Sequence, residues 1–135
     1  MKNTIKCLCG ECEFTVQLEK PEIGACHCSM CQQWAAGLYM AAHLETSVDF
    51  EPIEKAKVFE SSDWGRRVFC QDCGTALAWQ MADKSFTAVS AGALVNKADL
   101  KFTEEIFVDE KMPCYNLQPG SVKKTAAQVM AEFGA

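Results

Sequence analysis

Nine cysteines in a chain of 135 residues constrain this sequence more than any other feature. Eight of them fall into three clusters. Cys7-Leu8-Cys9-Gly10-Glu11-Cys12 and Cys26-His27-Cys28-Ser29-Met30-Cys31 share the spacing CxCxxC, Cys70-Gln71-Asp72-Cys73-Gly74 is a CxxCG knuckle, and Cys114 stands apart. An odd count fits poorly with complete disulfide pairing. The opening residues reach Cys7 before any apolar run, so no secretory leader is expected and the cytoplasm is the expected compartment. In a reducing compartment, thiols at these spacings bind metal rather than pair with one another.

The length suits one compact domain over residues 1–135. A net charge of −5 and a pI near 5.0 have the wrong sign for neutralising phosphates or docking on anionic lipid. No nucleic-acid or membrane partner is therefore expected, and no apolar stretch has the length of a transmembrane helix. Cys12, Phe14, Val16 and Leu18 alternate with polar residues, the period of a strand with one buried face, ended by Pro21 and Gly24. Further strands are expected at 37–42, 57–60, 67–69, 76–79, 86–90 and 105–108. After Pro119-Gly120, Ser121 is placed to cap a helix whose apolar stripe is Val122, Ala126, Val129, Met130 and Phe133. A shorter helical turn fits 29–36. The expected fold is mostly β with one or two peripheral helices.

A CxxCG turn lets two thiolates converge on one ion and aims backbone N–H groups at the sulfurs, and a structural zinc needs four ligands. Two assignments compete. In one, Cys7 and Cys9 join Cys70 and Cys73, leaving Cys26, Cys28 and Cys31 as a three-thiolate site with an open position. In the other, Cys12 completes the second cluster, both zincs are saturated, and the chain is a non-catalytic zinc-stapled binding or thiol-sensing module. The phase of Cys12 with the strand's apolar residues argues for a core thiol, and packing is likewise the expectation for Cys114. His27, lying between two ligands, is expected to point away from the metal into solvent or a supporting contact. His43 has no local support. Glu104-Glu105 and Asp109-Glu110 read as a solvated strand edge rather than a carboxylate dyad. No hydrolase or phosphate-loop motif is present, and nothing around Cys70 has the βαβ setting of a redox dithiol.

The ordered set Cys7-x-Cys9-Gly10, Cys26-His27-Cys28-Ser29-x-Cys31 and Arg67-x-Phe69-Cys70-x-x-Cys73-Gly74-Thr75 resembles the glutathione-dependent formaldehyde-activating (GFA, centromere protein V-like) family. The resemblance extends through Trp34, Gly37, Ser61-Ser62, Gly92-Ala93-Leu94 and the stretch 105–111. It implies a β-tent zinc fold of antiparallel sheets, with Cys7, Cys9, Cys70 and Cys73 holding a structural zinc and Cys26, Cys28 and Cys31 a catalytic one. It also implies a carbon–sulfur lyase that joins a small thiol to a carbonyl compound, glutathione and formaldehyde in the family's founding reaction. The sequence departs from the family pattern at several positions. Gln32 and Gln33 stand where basic residues are usual, Ala36 replaces a common glycine, Glu105 a frequent histidine, and Cys114 a tryptophan. Arg67 is retained, either to pair a substrate carboxylate or to support the knuckle.

Overall fold

A computed structural model of the chain describes residues 1–133. In chain order the elements are β1 (Lys2–Lys6), β2 (Glu13–Gln17), β3 (Glu22–Cys26), α1 (Ser29–Ala35), β4 (Tyr39–His43), β5 (Ala56–Phe59) and β6 (Gly65–Cys70). There follow β7 (Ala76–Met81), β8 (Thr87–Ser90), β9 (Lys101–Ile106), β10 (Val122–Lys124) and α2 (Ala126–Glu132). With 39% strand, 15% helix and two helices, the fold agrees with the mostly-β expectation. The chain divides into two compact units, one of Met1–Pro21 with Ala41–Leu100, the other of Glu22–Met40 with the described residues from Lys101 onward.

In the first unit β1 and β2 form an antiparallel pair running from Lys2 opposite Gln17 to Lys6 opposite Glu13. The alternation in 12–18 behaves as expected: Cys12, Val16 and Leu18 are buried, and Phe14 meets Phe50 edge-on at 5.5 Å. Strand β1 was hidden in the sequence because its inward residues are Asn3 and Ile5, and the buried Asn3 amide satisfies itself on the Asn96 carbonyl at 2.8 Å. The antiparallel neighbours β8, β7, β6 and β5 complete the unit, with residues 41–43 of β4 alongside β8. Phe50, Val68, Leu77, Val89 and Leu94 are buried in it.

The second unit pairs β9 with both β3 and β10, and both pairings are parallel. The resemblance implies antiparallel sheets, as the first unit has, and these two pairings depart from it; alternation along one strand reports which face is buried and says nothing of its neighbour's direction. Gly24 does not end a strand; it lies within β3, at a register shift between residues 23 and 24. The C-terminal helix also starts later than expected. Residues 122–124 form β10, and α2 is capped by Thr125, whose side chain and that of Gln128 make a reciprocal capping box. Of the expected stripe only Val129 is buried. Within this unit the buried residues are Ala25, His27, Cys31, Tyr39, Glu105 and Val129, a thin apolar core with the polar side chains of His27 and Glu105 inside it.

Two substitutions test this packing. A methyl group on Gly65 would lie 2.7 Å from the Trp79 ring, which is wedged against Trp64 and Phe86. In urea denaturation Gly65→Ala is expected to lose about 2 kcal/mol. Ala36 ends α1 in the left-handed conformation at φ 63°, ψ 24°, which costs a residue with a Cβ more than glycine. Ala36→Gly is expected to gain about 1 kcal/mol, and a loss would show that the helix end is held by other contacts.

Candidate metal centres

In the first unit, the turn after β1 and the turn between β6 and β7 bring Cys7, Cys9, Cys70 and Cys73 together, with all four sulfurs within 4.8 Å of one another. Cys7 and Cys9 Sγ are 3.6 Å apart, and Cys9 and Cys70 Sγ 3.8 Å. A tetrahedral ion with metal–sulfur bonds of about 2.3 Å needs sulfur separations of about 3.8 Å, so the donor set fits. Each turn closes through a glycine at positive φ, Gly10 at 85° and Gly74 at 78°. Their N–H groups donate to the Cys7 and Cys70 carbonyls. Thr75 joins the two turns, its hydroxyl accepting from the Leu8 N–H at 3.0 Å and lying 3.1 Å from Cys73 Sγ, to which it donates.

These donors divide the sulfurs. The Thr75 hydroxyl, followed by the N–H groups of Thr75 and Cys9, pulls the Cys73 thiol down to about 5. The Glu11 N–H draws Cys9 down too, but burial and the sulfurs of Cys7, Cys73 and Cys70 outweigh it and push that thiol up to about 12. Without a cation the cluster cannot hold four thiolates; a soft divalent ion removes the conflict. Cys12 is completely buried, and its N–H donates to Cys7 Sγ at 3.2 Å. Burial, then the neighbouring Cys70, pushes its thiol up to about 12, the behaviour of an inert core cysteine. Arg67, in β6, is buried.

The second unit gathers Cys26, Cys28 and Cys31, again with sulfurs within 4.8 Å of one another. Cys26 ends β3, Cys28 is the N-cap of α1, and Cys31 lies in its first turn, its N–H donating to Cys28 Sγ at 3.3 Å. The sulfurs of Cys28 and Cys31, then burial, drive the Cys26 thiol far above its ordinary range. Three convergent thiolates likewise suit a soft cation, and on a tetrahedral ion they leave one position. Among the described residues Cys12 belongs to neither group. Its companions are Cys7 and Cys70, within the first unit. Cys114 is exposed and lies outside both groups, so packing accounts for Cys12 and not for Cys114.

Around this cluster the sequence expectations fare unevenly. Of the two places expected for His27, a supporting contact holds and solvent does not: the ring is buried, Nε2 lies 2.8 Å from Glu105 Oε1, and Nδ1 lies 3.2 Å from the Tyr115 hydroxyl. Glu105 is 2% exposed rather than on a solvated edge. Burial alone would raise its carboxyl, but Ser121 at 2.6 Å, His27 and Lys123 hold it below the usual range. Ser121 is therefore a partner of Glu105 and not a helix cap. Glu104 pairs with Lys124 at 3.1 Å, and Asp109 and Glu110 meet helix N-termini, where N–H groups lack intrahelical partners. Glu110 accepts from the Ser29 N–H at 3.0 Å and Asp109 from the Ala126 N–H at 2.8 Å. Gln32 donates to the carbonyls of His27 and Glu110, so this side chain braces the cluster. A strand period cannot disclose a buried carboxylate whose partners lie tens of residues away. The apolar residues of β9, Phe102 and Ile106, alternate out of phase with Glu105, so the strand pattern gave no signal for it.

Metal analysis of Cys12→Ala and Cys70→Ser separates packing from ligation. Cys12→Ala is expected to keep the wild-type metal content and lose about 1 kcal/mol of stability, whereas Cys70→Ser loses one ion. A missing ion in Cys12→Ala would move that residue into a ligand set.

The sequence matches the family model described as glutathione-dependent formaldehyde-activating enzyme over residues 2–110. It is 26% identical over 125 residues to an uncharacterized lyase of Schizosaccharomyces pombe, covering 92% of this chain and 91% of that one. A crystal structure of a Rhodobacter sphaeroides protein, 24% identical, superposes with a TM-score of 0.52 over 76% of this chain and 100% of the other, a likeness of fold. With the family model spanning both cysteine clusters, the chain belongs to the glutathione-dependent formaldehyde-activating (GFA) family.

Proposed function

We propose that this chain is a zinc-dependent carbon–sulfur lyase-type enzyme that adds a small, glutathione-like thiol to an aldehyde, or reverses that addition. The observation that carries the reading is the cluster of Cys26, Cys28 and Cys31, three sulfurs with no fourth side-chain donor among the described residues. The lyase name of the S. pombe relative supports it. Cys7, Cys9, Cys70 and Cys73 would hold a structural zinc, and Cys26, Cys28 and Cys31 a second. A zinc ion at the second cluster would supply a Lewis-acidic position that keeps a substrate thiol deprotonated and exchangeable.

The chain's own residues hold that position in place. Cys28 and Cys31 are fixed by the first turn of α1, Cys26 by the parallel pairing of β3 with β9. The segment Ser29–Ala35 carries no basic residue, so α1 brings no cation to a substrate carboxylate. The reading takes residues 1–135 as one GFA-type domain built of the two units and working in a reducing, cytoplasmic setting, with small molecules as its partners. Among the described residues no helix is long and apolar enough to cross a membrane.

Zinc analysis with NMR exchange spectroscopy tests the proposal. Wild-type protein is expected to carry two zinc ions and to accelerate exchange between a small thiol, formaldehyde and their adduct. Cys28→Ala is expected to keep one ion and lose that acceleration. Full zinc in Cys28→Ala would remove the site assignment. Two zincs without acceleration would leave the zinc-stapled binding or thiol-sensing module as the better reading.

A further inference from the structure

The stretch after residue 110 lies beyond the match to the family model, yet it supplies three partners, Tyr115, Ser121 and Lys123, to a buried network at the second cluster. His27 separates Cys26 from Cys28, so the orientation of its peptide links sets where both sulfurs point. Its N–H donates to the Ile106 carbonyl at 3.0 Å, and its carbonyl accepts from Gln32 at 2.7 Å. Its ring is 1% exposed and held at both nitrogens. Against an ionised Glu105 carboxylate Nε2 donates, Nδ1 is paired with the Tyr115 hydroxyl, and neither nitrogen is free for a metal. Glu105 Oε2 in turn accepts from Ser121 at 2.6 Å and pairs with Lys123 at 3.4 Å. Tyr115 is anchored by Lys111, whose ammonium donates to the Tyr115 carbonyl and sits 4.9 Å from its ring centroid.

We infer that Glu105, Tyr115 and Ser121 are positioning residues for the Cys26–Cys28–Cys31 site, acting through the buried ring of His27. The C-terminal stretch is then part of that site. The physical argument is one of rigidity. A metal site tolerates little error in the placement of its donors, and groups behind the ligands set that placement. Here the unit has few buried apolar side chains, so the orientation of the Cys26–Cys28 link depends on the polar network rather than on packing. Removing the Tyr115 hydroxyl leaves Nδ1 buried without a partner, and an amide NH2 in place of one Glu105 oxygen leaves either His27 Nε2 or Ser121 and Lys123 without that acceptor. Each loosens the same link. The inference rests on the metal-binding reading of the cluster.

Cobalt(II) titration of the full-length apo protein against a competing chelator provides the test, with the equivalent missing from Cys28→Ala marking the second cluster. Tyr115→Phe and Glu105→Gln are expected to weaken that equivalent about tenfold and leave the Cys7–Cys9–Cys70–Cys73 equivalent unchanged. Val129→Ala, which removes buried packing from α2 and takes no hydrogen-bonding group from the network, is expected to leave both unchanged. In 15N spectra the His27 ring is expected to show the Nε2-protonated tautomer in wild type and to lose that preference in Glu105→Gln. Unchanged cobalt affinity in Tyr115→Phe and Glu105→Gln would overturn the inference, as would an equal loss in Val129→Ala. Wild-type protein that takes up two equivalents while the variants stay unmoved overturns this inference alone. Wild-type protein that takes up only one overturns the functional proposal with it.

Discussion

Sulfurs held within 4.8 Å of one another repel as thiolates, and much of the surrounding chain is arranged to offset that repulsion. At the four-cysteine cluster the offset comes from N–H and O–H donors. Cys12 and Thr75 contribute, together with two turns closed by left-handed glycines. At the three-cysteine cluster the first turn of a short helix does the same work. These donors stabilise some of the negative charge but not all of it, as the opposite displacements of Cys9 and Cys73 show. The remainder is the electrostatic reason a soft cation belongs in each group.

The two clusters rest on different kinds of support. The first sits in a unit with a conventional interior of Ile5, Leu18, Phe50, Val68, Leu77 and Leu94. The second sits in a unit whose buried side chains are few and partly ionisable, so its geometry depends on directed hydrogen bonds. Phe107, an aromatic residue at φ 55°, turns the chain out of β9 and into the short turn that delivers Asp109 and Glu110 to two helix N-termini. A bulky residue in that conformation is costly and persists where neighbouring contacts hold it. The acidic stretch thus joins β9, α1 and α2, where its composition had suggested solvent.

Short-range regularity accounts for what could be read without coordinates. The CxCxxC and CxxCG spacings place thiols on tight turns whatever the rest of the chain does, and the alternation around Phe14 and Val16 identifies a half-buried strand. Signals carried by polar residues were lost. Asn3 faces inward on β1, Glu105 faces inward on β9, and Ser121 serves a carboxylate rather than a helix. Each looks solvent-facing by composition, because burial of a polar group is decided by a partner distant in sequence.

The amino-acid sequence by itself therefore determined the class of chemistry: three clusters of soft donors at ligand spacing, in an acidic, mostly-β chain. Which sulfurs meet was settled by tertiary structure, since Cys7 and Cys70 are brought together by the folding of the first unit and no local rule links them. The place of Cys12 was settled in the same way, beside Cys7 and Cys70 in the first unit. So was the buried chain of contacts from Ser121 through Glu105 to His27. The physical reason is common to all three. Ligand type is a property of a residue and its neighbours in sequence, whereas the number of donors around a point, and the groups that hold them still, depend on contacts between distant segments.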